Sequence, residues 1–180
     1  YLSSMRLKDV AFIEMEELHL QTGETIHMGI LDGTGVVSIE GFESVKSLHT
    51  KLFIGKRAPL YCTAVGKAIL AFLPESERER LVNLLQLVRR TSKTIIDKDA
   101  LREELANIRS RGTAIDSGEN EDGVVCVGAP IFDSSKEVVA SISISGPAFR
   151  MGEEIIERYS KLLREVVSRI SFALGYRADI

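Results

Sequence analysis

Tryptophan is absent from this 180-residue sequence, and cysteine, histidine and proline are all scarce. The two cysteines, Cys62 and Cys126, stand far apart, which excludes a disulfide scaffold and favours a reducing, cytoplasmic compartment. The three histidines, His19, His27 and His49, show none of the paired His/Cys spacings of zinc sites, so we expect no metal. No apolar run is long enough to cross a bilayer, so we expect no membrane partner.

An excess of basic residues is also missing, because 23 lysines and arginines stand against 26 aspartates and glutamates, for a net charge of −3. A surface that binds nucleic acid needs a basic stripe, so the composition argues against a large one on this chain. Hydrophobic residues make up 44% and charged residues 27%, as in an ordinary globular domain. The length suits one domain, or one domain with an extension.

The motifs of several common enzyme classes do not occur either. There is no GxSxG elbow, no Walker A loop and no GxGxxG after a strand. A triad of Cys62, His27 and Asp116 can be drawn, but nothing in the spacing selects it. We therefore expect neither an enzyme nor a cofactor; a thiol that titrates near neutral pH would favour the competing enzymatic interpretation.

The hydrophobic periodicity predicts alternating helices and hairpins. The chain opens at Tyr1 inside a helical pattern without an initiator methionine, so we expect a piece of a longer protein. An Asp-Gly turn at 32–35 predicts a hairpin. Helices are predicted over 2–21, 63–73, 76–88, 97–111 and 153–176, and strands over 24–31, 36–42, 113–116, 124–132 and 137–145. In the helix predicted over 76–88, four residues are predicted to face inward: Leu81, Leu84, Leu85 and Val88. Residues 43–55 are predicted as a loop that contains a short strand at 52–54. This loop could cover a cavity. This order predicts an α+β fold with helices packed on an antiparallel sheet.

The stretch from Pro59 to Leu73 organises the rest of the chain. Pro59 favours an extended approach, after which Thr63 can cap a helix. The first-turn N–H groups of Ala64, Val65 and Gly66 then lack helical acceptors and lie at the positive end of the helix dipole, a setting that suits a small anion. The alternative is that small residues here only let the helix pack closely on a sheet.

The strand over 137–145 alternates between apolar and hydroxyl side chains. Period two places Val138, Ala140, Ile142 and Ile144 on one face, and Val139, Ser141, Ser143 and Ser145 on the other. In the preceding strand, Cys126 and Gly128 share a face by the same rule. These small polar positions predict a cavity lined by hydroxyls. The alternative is that they make room for a helix and that the hydroxyls bond to its backbone.

Asp116 ends a predicted strand just before an acidic loop at 117–123. Its carboxylate could accept a hydrogen bond from a ligand acid near a helix N-terminus, or balance local charge. The alternative is a turn aspartate that binds the backbone of its own loop. The residue therefore enters the candidate site with both roles open.

Three segments together resemble the IclR (isocitrate lyase regulator) family of bacterial transcription factors. The segment at 59–71 resembles the family's helix-start motif, the segments at 111–116 and 119–133 its second motif, and 141–150 its third. The motifs occur in the family's order, and the match spans essentially the whole chain. Residues 22–180 resemble the C-terminal effector-binding domain, and 1–21 the helix that leads in from the DNA-binding part.

The resemblance implies a GAF-like fold, a small-molecule effector that is typically a carboxylate or aromatic metabolite, and a homodimer or homotetramer. DNA binding would belong to an N-terminal winged helix-turn-helix outside this chain. The family's effector site carries over onto the backbone amides of Ala64 and Val65 and onto Asp116, Cys126, Ser143 and Ser145. Apolar cover is expected from Leu48, Leu52, Ile54 and Leu60.

The sequence departs from the family pattern at two places. Ser117 and Gly118 follow Asp116 where many members carry acidic residues, and Ala64 or Val65 stands where members often have glycine. The first change alters the charge of the loop at 117–123. The second narrows the space beside the backbone amides of Ala64 and Val65. Two other functions remain open: a GAF-like sensor without a DNA partner, and a dimerisation scaffold whose serine face is filled by packing.

Overall fold

A computed structural model describes residues 2–179 of the chain, with side chains from residue 6 onward. The helices are α1 (Leu2–Thr22), α2 (Ala64–Phe72), α3 (Glu75–Leu84), α4 (Lys98–Arg111) and α5 (Glu153–Ala173). The strands are β1 (Thr25–Asp32), β2 (Gly35–Phe42), β3 (Arg57–Pro59), β4 (Ala114–Ser117), β5 (Val124–Phe132) and β6 (Val138–Pro147). They form one antiparallel sheet in the order β3-β2-β1-β6-β5-β4. The predicted α+β fold, an antiparallel sheet flanked by helices, is confirmed.

Helices α1 and α5 cover one face of the sheet and close an apolar core there. Ala11, Met15 and Leu18 of α1 are fully or almost fully buried, as their helical spacing predicts. Helix α1 ends at Gly23, which adopts a left-handed conformation and donates its N–H to the carbonyl of His19 at 2.7 Å. Tyr1, the first residue of the predicted lead-in segment, lies outside the described residues.

Helix α2 covers the other face, and α3 and α4 pack against α2. Two glycines in the sheet let α2 approach closely: a Cβ on Gly128 would lie 2.6 Å from the carbonyl oxygen of Ala64, and one on Gly29 would lie 2.7 Å from Val65. Both distances are shorter than carbon atoms tolerate, so the first turn of α2 rests directly on the backbone of β5. Asp97 caps α4 by accepting from the N–H of Ala100 at 2.8 Å, as predicted.

Most element boundaries agree with the predictions to within three residues, but the helix predicted over 76–88 ends at Leu84. Leu81 and Leu85 are buried as predicted, whereas Leu84 and Val88 are exposed, so their predicted inward orientation is wrong. The chain is already extended at Leu85. The Tyr61 hydroxyl then holds the backbone of Val88, donating to its carbonyl at 2.7 Å and accepting from its N–H at 3.0 Å.

Two strand predictions also need correction. The short strand lies at Arg57–Pro59 rather than at 52–54, because Gly55 turns the chain with a φ of 82° before it pairs with β2. The alternation of β6 holds from Ala140 onward, but Val138 packs on the α2 side and Val139 on the α5 side. A register shift between Ile131 and Phe132 of β5 leaves Val139 unpaired and reverses the faces.

The loop from Glu43 to Lys56 crosses the open end of the sheet and is held by a buried acid. Glu24 is 1% exposed and accepts hydrogen bonds from Lys46 at 2.8 Å and from Arg150 at 2.7 and 2.8 Å. Arg150 also donates to the carbonyl of Leu48 at 2.6 Å. The first half of the loop is therefore fixed to the end of α1 and to the segment that follows β6.

Within residues 2–179, none of the helices combines the length and the apolar character that crossing a bilayer requires.

Candidate functional site

A cavity of about 580 Å³ lies between the sheet, the start of α2 and the loop from Glu43 to Lys56. Its walls come from elements that are distant in sequence but adjacent through the antiparallel order β2-β1-β6-β5-β4. All six predicted site residues line this cavity: Ala64, Val65, Asp116, Cys126, Ser143 and Ser145. The structure therefore brings together the capped helix start and the serine strand.

The start of α2 presents backbone donors to the cavity. The Thr63 hydroxyl accepts from the N–H of Gly66 at 3.1 Å, which is the predicted cap. The N–H groups of Ala64 and Val65 meet no protein acceptor among residues 2–179, and both residues line the cavity. Gly66 instead follows the packing alternative, because a Cβ there would lie 2.6 Å from the backbone of Leu60.

The three serines of β6 divide between the two roles predicted for them. Ser141 donates to the carbonyl of Val65 at 2.8 Å and lies beneath α2, so the packing alternative is correct for it. Ser143 and Ser145 face the cavity, where the Ser145 hydroxyl donates to the Cys126 sulfur at 3.0 Å. Gly128, predicted to share the cavity floor with Cys126, lies under Ala64 instead.

Asp116 binds the backbone of its own loop, which is the alternative predicted for it, and it also borders the cavity. Its Oδ1 accepts from the N–H of Glu119 at 2.7 Å and of Asn120 at 3.4 Å, so it does bind its own loop. It also lines the cavity and is only 3% exposed. Burial raises the pKa of Asp116 to about 7, although the two N–H donors oppose that rise. A neutral carboxyl can donate a hydrogen bond to an anion, which a carboxylate cannot.

The other titratable groups deep in the cavity are also held neutral. Burial lowers the pKa of His27 to about 4 and raises the pKa of the Cys126 thiol to about 12. The imidazole of His27 lies opposite Ser143 across the β1–β6 ladder, with each ring nitrogen 3.3 Å from the Ser143 hydroxyl. The deep part of the cavity thus offers hydrogen-bonding groups, and no formal negative charge opposes a bound anion there below about pH 7.

Charged residues lie among the other lining groups, and the sequence analysis did not select them. Glu121 and, when it is ionised, Asp116 contribute negative charge to the lining. Four lining side chains are cations: Lys51, Lys56, Arg57 and Arg90. Arg90 donates to the carbonyl of Asn120 at 3.3 Å, which ties it to the acidic loop. His27 carried a usable sequence signal, because it is the polar member of an alternating strand between Ile26 and Met28. Arg90 carried none, because it follows a helix end in an irregular segment.

The predicted apolar cover is only partly correct. Leu52 lines the cavity, together with Phe53, which was not predicted. Leu48 and Ile54 point away from it and are 61% and 56% exposed, and Leu60 is buried against α2. The chain has no regular secondary structure at 51–53, so the faces of these residues do not follow a simple period.

The competing catalytic interpretation finds no support in the geometry. The Cys62 thiol contacts the Asn120 side chain at 3.7 Å and His27 contacts Ser143, so no hydrogen bond links Cys62, His27 and Asp116 among the described residues. Burial raises the pKa of the Cys62 thiol to about 12, which disfavours the thiolate that a nucleophile needs. Within the described part of the chain, no cluster of three or more His, Cys, Asp or Glu side chains could hold a metal.

Comparison with known proteins gives one family. Residues 1–172 match the family model described as the bacterial transcriptional regulator IclR C-terminal domain. The HTH-type transcriptional regulator KdgR of Escherichia coli is 37% identical over 175 residues, which is 97% of this chain and 66% of that relative. The XynR regulator of the same species is 37% identical over 164 residues, covering 91% of this chain and 65% of its own length. The chain thus spans about two thirds of these relatives.

Solved structures agree with the sequence comparison. The Thermotoga maritima IclR structure superposes with a TM-score of 0.91 at 42% identity, over 94% of this chain and 69% of that one. An IclR homologue from Microbacterium hydrocarbonoxydans, solved in complex with 4-hydroxybenzoate, superposes with a TM-score of 0.83 at 25% identity, over 94% of this chain and 68% of that one. The relatives are named as transcriptional regulators, in agreement with the prediction that the chain is not an enzyme.

Proposed function

We propose a function from one premise: the chain belongs to the family of IclR C-terminal domains of bacterial transcriptional regulators. In this proposal residues 22–180 sense a small carboxylate effector, and residues 1–21 lead in from an N-terminal winged helix-turn-helix. That N-terminal domain would contact DNA, and this chain would change its binding when the effector is bound. Such a regulator works in the cytoplasm as a homodimer or homotetramer.

One observation carries the proposal for the ligand. Ala64 and Val65, whose N–H groups meet no protein acceptor among residues 2–179, lie at the positive end of α2 and line the same cavity as Ser143 and Ser145. Donors at a helix start bind an anion, and hydroxyls on the facing strand can hold the rest of a polar molecule. With its pKa raised to about 7, Asp116 is mostly neutral below that pH and can then donate a further hydrogen bond without a repelling charge. The complex of the Microbacterium homologue with 4-hydroxybenzoate, itself a carboxylate, supports this class of ligand.

The route to DNA begins at the loop over the cavity. Ordering of this loop around the ligand would favour one of two conformations of the protein. The size of the shift between them is set by the difference in ligand affinity of the two conformations. The first half of the loop is bonded to Glu24, which lies two residues beyond the end of α1. A shift of the loop would therefore reach α1 and alter the spacing of two DNA-binding heads on their half-sites.

Calorimetry tests the ligand half of the proposal. The probes are benzoate, 4-hydroxybenzoate, acetate and succinate, each paired with its neutral amide. We expect at least one carboxylate to bind and its amide to bind at least about tenfold more weakly, since a lost charge-assisted hydrogen bond costs about 1.5–3 kcal/mol. Ser143→Ala and Asp116→Ala should both weaken binding, whereas Ser134→Ala, in the exposed turn between β5 and β6, should leave it unchanged.

Equal binding by both members of each pair, or full affinity in both cavity variants, would contradict the ligand assignment. The DNA half is tested separately, by the coding sequence upstream of Tyr1. A winged helix-turn-helix there supports the regulator. A different domain would favour the alternative of a sensor without a DNA partner.

A further inference from the structure

A lysine is buried in the middle of the helix whose first turn faces the cavity. Helix α2 is otherwise free of charge, yet the Lys67 side chain is only 1% exposed. Lysine is almost never fully buried without a partner, because its ammonium group loses its hydration there. This feature is visible in the sequence, where one cation interrupts the apolar run Ala64–Phe72.

The partners of Lys67 come from three different elements. Its Nζ donates to the carbonyl of Ile115 at 2.7 Å and to Oε2 of Glu119 at 2.6 Å, and lies 3.5 Å from Oε1 of Glu104 on α4. An ammonium group has three N–H donors; Ile115 and Glu119 accept from two of them, and Glu104 adds an ion pair. Lys67 is thereby fixed in one geometry rather than free to turn.

Glu119 depends on that lysine. It belongs to the acidic loop between β4 and β5 and is 8% exposed, and its Oε1 finds no hydrogen-bond partner among the described residues. A buried carboxylate with one free oxygen is costly, and its other oxygen is held by Lys67. Without the lysine, the buried Glu119 carboxylate would have to take up a proton or move toward water, and in the second case the loop would move with it.

The same loop forms one wall of the cavity. The N–H of Glu119 donates to Asp116, and the next two residues, Asn120 and Glu121, line the cavity. Lys67 follows Ala64 by three residues, so it lies one helical turn from the exposed amides. The Lys67 side chain thus connects the N–H donors at the start of α2 with the cavity wall that contains Asp116.

We propose that Lys67 and Glu119 act as a positioning pair, which sets the acidic loop and Asp116 at a fixed distance from the helix start. The pair touches no ligand itself. Its effect on effector binding rests on the function proposed above, but its effect on the loop does not. The two can therefore be measured separately.

Cys62 offers a ligand-independent measurement of the loop. Its side chain is fully buried and contacts Asn120 of the loop at 3.7 Å, so displacement of the loop would expose the thiol. In a Cys126→Ala background, Cys62 is the one remaining cysteine, and its rate of reaction with Ellman's reagent reports that exposure. We expect Glu119→Gln and Lys67→Met each to raise the rate by about tenfold or more. Lys161→Met, which removes an exposed lysine from α5, should leave the rate unchanged.

Amide hydrogen exchange separates a local effect from unfolding. We expect amides 117–121 to exchange faster in Glu119→Gln while those of β5 and β6 keep their protection. If Lys67→Met unfolds, the β5 and β6 amides will exchange as well, and Glu119→Gln then decides. In Lys67→Met/Glu119→Gln, neither charge remains buried, so we expect stability to recover partly and loop protection not to recover.

Unchanged Cys62 reactivity and unchanged exchange at 117–121 in Glu119→Gln would overturn the proposal. Recovery of loop protection together with stability in the double variant would also overturn it, since the pair would then serve stability alone. If no carboxylate binds the wild-type chain, the proposed function fails while the thiol and exchange results still decide the positioning role. If 4-hydroxybenzoate binds, its affinity should fall in the same variants that free Cys62.

Discussion

The two faces of the central sheet are built from one set of strands but in opposite ways. On the face covered by α1 and α5, positions such as Ile26, Ile142 and Ile144 are fully buried and apolar. On the face toward α2, the alternate positions carry His27, Ser143 and other polar or small side chains, and a cavity remains. The comparison shows that one face stabilises the fold, which leaves the other free to keep unfilled space and hydrogen-bonding groups.

The largest expected effect comes from opening a hole in the closed face. Ile142→Ala removes a fully buried side chain between α5 and the sheet and should lower the free energy of unfolding by about 4 kcal/mol, because both transfer energy and packing are lost. Urea unfolding measures this change. A loss below about 1 kcal/mol would mean that the two faces do not differ as described.

The pH dependence of stability probes the open face. Asp116 has a pKa of about 7 when folded, against an ordinary value of 3.8. Between these values the folded chain binds more protons than the unfolded chain, so the Asp116 contribution to stability falls as pH rises from about 4 to about 7, then levels off. His27, with its pKa lowered to about 4 from 6.5, contributes the opposite slope between those two pH values.

Asp116→Asn separates these two slopes. The amide oxygen can still accept from the loop, but the position no longer ionises, so the variant should gain about 3 kcal/mol relative to wild type between pH 4 and pH 8. The difference between the two unfolding free energies at each pH isolates Asp116, because the His27 term cancels. A difference that does not change with pH would show that Asp116 titrates normally.

A smaller effect is expected where helix and sheet touch through backbone atoms. Gly128→Ala places a Cβ about 2.6 Å from the Ala64 carbonyl and should cost about 2 kcal/mol while displacing the start of α2. Gly152→Ala is the control, since a Cβ there meets nothing within 4 Å and its cost should stay below about 1 kcal/mol. If thermal unfolding shows the same loss of stability in Gly128→Ala and Gly152→Ala, the close approach of α2 to β5 is contradicted.

The smallest effect on stability is expected from Ser143→Ala, next in sequence to Ile142 but on the opposite face. Its hydroxyl borders the cavity and makes only 3.3 Å contacts with His27, so its removal should change the free energy of unfolding by less than about 0.5 kcal/mol. Ser141→Ala should cost about 1 kcal/mol, because that hydroxyl bonds to buried backbone. Urea unfolding measures the loss of stability in both variants. A larger loss in Ser143→Ala than in Ser141→Ala would contradict the assignment of Ser141 to helix packing and of Ser143 to the cavity.

Sequence reasoning located the fold and the six cavity residues because their signals are local. The Thr63 cap, the Gly112 stop after α4 and the alternation from Ala140 to Ser145 each depend on residues a few positions apart. Period two grouped Ser143 with Ser145 in one strand and Cys126 with Gly128 in the other, without any knowledge of the pairing. The family resemblance then joined the segments, which periodicity alone does not do.

The remaining errors arise where distant elements decide the outcome. The faces of Val138 and Val139 depend on an extra residue in the pairing with β5, which alternation along β6 cannot reveal. Leu84 is exposed because α3 ends there, and Tyr61, which holds the chain beyond it, comes from before α2. Arg90 reaches the cavity only because its segment bonds to the acidic loop.

The contact between Ala64 and Gly128 has a consequence for how ligand preference can change. Because main-chain atoms fix the first turn of α2 against β5, the two N–H groups keep their place whichever side chains surround them. Exchanging Leu52, Phe53 or Arg90 would reshape the cavity while the proposed anion-binding corner stays constant. A scaffold of this kind can be retuned for acids of different size and polarity by replacing the walls alone.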